Sequence, residues 1–146
     1  MMTNQVLDYF ISNIGKNSSE MSPSALGRWL NGKLIAVEEG SLTVEFVVRE
    51  EMTNPGKILH GGVAASMMDD VMGMTVFSLG RENFYSTINL SVDYLLPTKV
   101  GEVIYVKSKV IRAGKTVINM ECEVRNNEHK IVAKCTSNLV TTGLKM

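Results

Sequence analysis

The chain has 146 residues, 45% of them hydrophobic and 21% charged, which suits one core of ordinary size and leaves little for a second. Fifteen basic residues balance fifteen acidic ones, so the electrostatic footprint of a nucleic-acid binder is missing. No run nears the roughly 20 apolar residues that cross a bilayer, and the start lacks a secretory pattern, so a cytoplasmic protein with no membrane partner is expected.

Val6, Tyr9, Phe10 and Ile14 recur at three- and four-residue intervals, which predicts a helix over about 4–15, capped by Thr3 or Asn4 and ended by Gly15. Residues 22–30 show no clear period; one loose turn there would carry Trp29 into the core. From Lys33 the period becomes two. Leu42, Val44, Phe46 and Val48 share a face, and Glu39, Gly40 and Ser41 supply a hairpin turn. Pro55 and Gly56 mark a loop.

Residues 62–79 are apolar nearly all round, with Val63, Ala64, Met67, Met68, Val71, Met72 and Val76 among them. That pattern predicts a helix enclosed by protein on most sides and ended by Gly80. Four alternating segments follow. Ile88, Leu90, Val92 and Tyr94 form one apolar face, and Ile118, Met120, Cys122 and Val124 form another. Short links at 97–101, 113–115 and 126–129 imply antiparallel neighbours. The expected architecture is one α+β domain over 1–146, an antiparallel sheet of about six strands wrapped around one long central helix. Cys122 and Cys135 lack ligand spacing and only two histidines exist, so reduced core thiols and no metal site are expected.

Within this order of elements lies a motif. Asn54-Pro55-Gly56-Lys57-Ile58-Leu59-His60-Gly61-Gly62, followed by Asp69 seven residues after Gly62, resembles the signature of phenylacetate-pathway-type hotdog thioesterases. The run from Thr87 through Asn89, Asp93 and Tyr94 to Pro97 resembles the strand after that family's central helix, and Arg112-Ala113-Gly114-Lys115-Thr116 its next hairpin. The resemblance spans about Gly27 to Val140. It implies hydrolysis of a thioester, usually an acyl-CoA, with no metal or organic cofactor. It also implies homodimers whose sheets join edge to edge, commonly paired into tetramers, with active sites between subunits. In this numbering the family's carboxylate falls on Asp69, its loop amide on Asn54, its oxyanion-binding glycine on Gly61 and its assisting hydroxyl on Thr87.

The residue chemistry agrees in kind. A helix start offers unpaired N–H groups and a positive dipole end, and Gly61 and Gly62 let a ligand approach that backbone closely. A Gly-Gly pair at a helix start also serves plain tight packing. Asp69 lies about two turns into a greasy helix, where a carboxylate is costly unless paired, protonated or facing a cavity. Asp70 points about 100° away from it and reads as structural, pairing across an interface. His60 reads as a positioner of Asn54 or the turn, with Asp69 as base or nucleophile. By strict alternation Thr87 lies on the face away from the helix, unless a bulge re-aims it or it serves a second copy. Met68 could line an acyl pocket, and Arg112 and Lys115, with Arg81 and Lys57 behind them, could meet coenzyme phosphates. Two other readings stay open: a hotdog hydratase or dehydratase, and a non-catalytic acyl-CoA binding module.

Overall fold

The computed structural model describes residues 3–145. Helix α1 (Gln5–Ser12) starts where the Asn4 side chain accepts from the Leu7 amide, 3.0 Å away. It ends sooner than its apolar spacing predicts, because Asn13 takes the C-cap and folds its amide back onto the Tyr9 carbonyl at 2.7 Å. Phe10 is therefore buried and Val6 packs on the core, while Tyr9 and Ile14 face outward. Two short helices follow, α2 (Ser18–Met21) and α3 (Ala25–Leu30). Each is too brief to leave a period in the sequence. Trp29 does not enter the core. It lies 43% exposed under the Arg49 guanidinium, 5.2 Å from ring centre to Cζ, and Leu30 is the buried residue instead. Arg49 donates to the Trp29 and Leu30 carbonyls and so closes the end of α3.

The strands are β1 (Lys33–Glu38), β2 (Ser41–Val47), β3 (Asn83–Tyr94), β4 (Val103–Ala113), β5 (Val117–Asn126) and β6 (Ile131–Lys145). They form one antiparallel six-stranded sheet in the order β1-β2-β4-β5-β6-β3. Gly40 makes the β1–β2 turn at φ +80°, a conformation that costs other residues. The alternating apolar positions point inward as expected: Leu42, Val44, Phe46, Ile104, Val106, Ile118, Met120 and Val124 are all within 2% of full burial. Each large side chain buried this way contributes roughly 1.5–3 kcal/mol before the cost of ordering the chain.

What they pack against is helix α4 (Gly61–Phe77), with Met67, Met68, Val71 and Met72 fully buried. This is the hotdog arrangement: a sheet wrapped around one long helix. Two of the buried hydroxyls are satisfied in a chain, Ser108 donating to Thr75 at 2.7 Å and Thr75 to the Val71 carbonyl at 2.8 Å. At the far end of α4, Ser78 accepts from the Gly40 amide and Asn4 donates to the Ser78 carbonyl, so the helix is tied to both α1 and the first hairpin.

Strand β3 is an edge of the sheet, paired only with β6 among the described residues. Its register slips between Thr87 and Asn89, which pair with Leu139 and Asn138. Ile88 is the extra residue and stands 58% exposed, not on the inner face that its alternation predicts. The slip has a local cause. The Asn89 side-chain oxygen accepts from the Asn138 backbone amide at 2.9 Å, doing the work of a ladder carbonyl, and Asn138 in turn accepts from Asn119. Before the bulge Tyr85 and Thr87 face the helix; after it Leu90 and Val92 do. No helix among the described residues is long and apolar enough to cross a membrane.

Candidate active site

The loop before α4 is held firmly. The Asn54 side-chain oxygen accepts from the Gly56 and Ile58 amides, at 2.9 and 3.4 Å, and the Asn54 amide donates to the Ile58 carbonyl. Leu59 donates to the Thr98 carbonyl and His60 to the Met52 carbonyl. These bonds fix where the helix starts. His60 is its N-cap, and its Nδ1 accepts from the Gly62 amide at 2.8 Å. That bond requires a neutral ring with its proton on Nε2. His60 thus positions the turn, as its sequence context predicts, although it acts on Gly62 rather than on Asn54.

The two glycine amides now differ. Gly62 N–H is taken by His60, whereas Gly61 N–H donates to no group among the described residues. The Gly61 carbonyl accepts from the Tyr94 hydroxyl at 2.7 Å. Asn54, Gly61 and Tyr94 line a cleft of about 380 Å³ whose remaining wall, including Leu95, Leu96 and Val132, is mostly apolar. Tyr94 is the residue that sequence reasoning missed, since alternation marked it as one more apolar strand position. Its signal was the polar tip of a tyrosine at a strand end.

The carboxylate lies elsewhere on the same helix. Asp69 is half-buried, and its Oδ1 accepts from the Thr87 hydroxyl at 2.8 Å. Thr87 therefore faces its own helix, against strict alternation, because the Asn89 bulge turns it inward. Eight residues of helix separate Gly61 from Asp69, a rise of about 12 Å. Asp70 faces the other way, beneath α3, where a Cβ on Gly27 would lie 3.1 Å from its Oδ2. Within its own chain Asp70 packs against Gly27 and Ser24. Burial lifts the Asp70 carboxyl above its ordinary range, a nearby Ser24 hydroxyl pulls it back, and the Asp69 charge adds a smaller push upward.

Met68 is fully buried and does not line the cleft beside Gly61. Arg112 and Lys115 are exposed beside the β4–β5 hairpin. Arg81 braces that hairpin, donating to the Gly114 carbonyl and to the Tyr85 hydroxyl. A larger hollow, about 450 Å³, lies on the outer sheet face among Lys107, Lys109, Glu121, Glu123 and Lys134. Its cations and carboxylates oppose one another across the strands, Lys107 with Glu123 and Lys109 with Glu121, so it offers no field of one sign. No cluster of three metal-ligating His, Cys, Asp or Glu residues occurs among the described residues.

The family model for the thioesterase superfamily matches residues 56–133, more than half of the chain, including the glycine turn, Asp69 and Thr87. The chain belongs to the thioesterase superfamily. It is a thioesterase of the hotdog fold. Human acyl-coenzyme A thioesterase 13 is 28% identical over 110 residues, 75% of this chain and 74% of that one. An esterase candidate of Caenorhabditis elegans is 32% identical over 101 residues, which are 68% of this thioesterase but only 60% of that protein's length. Among solved structures, a hypothetical thioesterase of Streptococcus pneumoniae with coenzyme A is 27% identical, with a TM-score of 0.74 over 80% of this chain and 92% of that one.

Proposed function

We propose that this thioesterase hydrolyses acyl-CoA to free acid and coenzyme A at a site shared between two copies of the chain. The observation that carries the proposal is the split: a free Gly61 N–H at the start of α4, and the Asp69–Thr87 pair about 12 Å along it. One thioester carbon cannot lie within hydrogen-bond reach of both on a single chain. A second copy added along the free edge of β3 would supply the other half. Antiparallel strand addition sets the start of one β3 beside the end of its mate, which brings Thr87 and Asp69 of one copy toward Tyr94 and Gly61 of the other. The β4–β5 hairpin lies at that same starting end, so Arg112 and Lys115 of the second copy approach the cleft mouth, where coenzyme phosphates would need cations.

The chemistry follows. The thioester oxygen accepts from Gly61 N–H, a donor preset for charge that grows in the transition state. Asp69, steadied by Thr87, takes a proton from water, and the hydroxide attacks the carbonyl carbon. The C–S bond then breaks and the same proton passes to the departing sulfur. Asn54 lines the cleft, where its side-chain NH₂ would orient water or the thioester while its oxygen holds the loop. The coenzyme A held by the Streptococcus pneumoniae relative and the acyl-coenzyme A activity in the human relative's name favour this substrate class. A cytoplasmic location belongs to the same proposal, with Cys122 and Cys135 facing each other across β5 and β6 as buried thiols.

Thiol release over acetyl-, hexanoyl-, palmitoyl- and phenylacetyl-CoA tests the activity; a chain that binds them and releases no thiol is a binding module. Mixing two inactive variants, Gly61→Val and Asp69→Asn, tests the sharing. Random re-pairing should restore about a quarter of wild-type sites, because a mixed dimer keeps one site with both halves intact. Mixed dimers with no activity would place the whole site on one chain.

A further inference from the structure

The peptide joining Gly61 to Gly62 is gripped at both ends. Its carbonyl accepts from the Tyr94 hydroxyl at 2.7 Å, and its N–H donates to His60 Nδ1 at 2.8 Å. The Tyr94 ring also lies flush against Gly61: a Cβ there would sit 3.2 Å from Cζ and 3.4 Å from Cε1. Glycine has the freest backbone of any residue, so the direction of its N–H must be imposed from outside. Asn54 and the loop hold the chain before the turn, and the first helical turn holds it after. Among the described residues, Tyr94 is what holds Gly61 from the strand side.

That bond is not made to satisfy a stranded hydroxyl. In the single chain Tyr94 is 54% exposed, so folding of the chain does not itself strip its hydroxyl of water. Nor does the Gly61 carbonyl need it, since a first-turn carbonyl already meets an amide four residues on. The bond instead ties the end of edge strand β3 to the glycine of this turn whose amide has no partner among the described residues. We infer that Tyr94 is a positioning residue for thioester hydrolysis, aiming the Gly61 N–H at the substrate carbonyl. This rests on the proposed role of Gly61 and extends it to a residue from another element. A preset donor stabilises the transition state because it need not reorganise as charge develops, and a loosened one loses that advantage.

The variant Tyr94→Phe keeps the ring and deletes only the hydroxyl. On the fastest-hydrolysed member of the acyl-CoA panel, kcat should fall about tenfold with KM within about twofold, the pattern of an interaction made mainly in the transition state. The thermal midpoint should hold. A second reading uses the Asp69→Asn protein with the same acyl-CoA carrying a ¹³C carbonyl. The bound carbonyl stretch should lie below its free frequency, and adding Tyr94→Phe should move it back toward the free value. An unchanged kcat, or an unchanged carbonyl band, would overturn the inference, as would a loss confined to KM. Full turnover in Asp69→Asn alone would instead bring down the hydrolytic site itself. An inactive Asp69→Asn beside a fully active Tyr94→Phe would remove Tyr94 only.

Discussion

Two flanks of the central helix carry one aspartate each, and their surroundings separate their roles. On the β3 flank Asp69 receives one hydroxyl, from Thr87, and keeps its other oxygen clear of protein donors among the described residues. On the α3 flank Asp70 lies under Gly27 and Ser24, pressed into its own chain. The two are adjacent in sequence and about 100° apart around α4. A helix buried on most sides thus uses one carboxylate to face an open edge and the next to seat a neighbouring helix.

The sharpest way to break this contrast is to neutralise each acid without changing its shape. Asp69→Asn should lower kcat by about 10²–10⁴-fold, the usual worth of a general base, with folding unaffected. Asp70→Asn should leave kcat within about threefold. Steady-state thiol release on both variants is the measurement, and equal losses would erase the distinction between the flanks.

A smaller effect sharpens the β3 side. Thr87→Val keeps the branched shape and removes the hydroxyl that steadies Asp69, so kcat should fall by about tenfold. Thr87→Ser restores the donor and should recover most of the rate. If valine performs as well as serine, the 2.8 Å bond is a packing detail and Thr87 has no part in the reaction.

Much of this was legible beforehand, for reasons that also explain what was not. Strand faces such as that of Ile118, Met120, Cys122 and Val124 obey period two because one side packs on α4 and the other meets solvent. The helix is visible because a segment apolar all round has to be enclosed. Alternation alone leaves the side of Thr87 open, because one inserted residue inverts the faces on its two sides relative to each other and alternation carries no mark of where the insertion falls. The mark lay in Asn89, a poor strand former whose side chain competes for backbone amides. Trp29 was misread because an aromatic residue is drawn to the core by default, whereas here Arg49 supplies a ring-stacking partner at the surface. Tyr94 and Gly61 meet across 33 residues, and no local pattern reports such a contact.

The faintest effect concerns Asp70 and acid. Burial is the main cause that raises its carboxyl above 3.8, so in the folded chain it holds its proton at pH values where the unfolded chain has released it. The folded state then binds more protons, and this group's contribution to stability falls as pH rises through the window above 3.8. Asp70→Asn cannot ionise and escapes that fall. Urea midpoints of the two proteins should therefore diverge in the variant's favour on going from strong acid toward neutrality, then run level once Asp70 is charged in both states. Any difference between the two side chains that does not depend on pH shifts the variant's curve by a fixed amount, so the test lies in the changing gap and not in its sign at any one pH. Parallel curves would mean that Asp70 ionises as freely beneath α3 as in the open chain, and the α3 flank would carry no electrostatic strain at all.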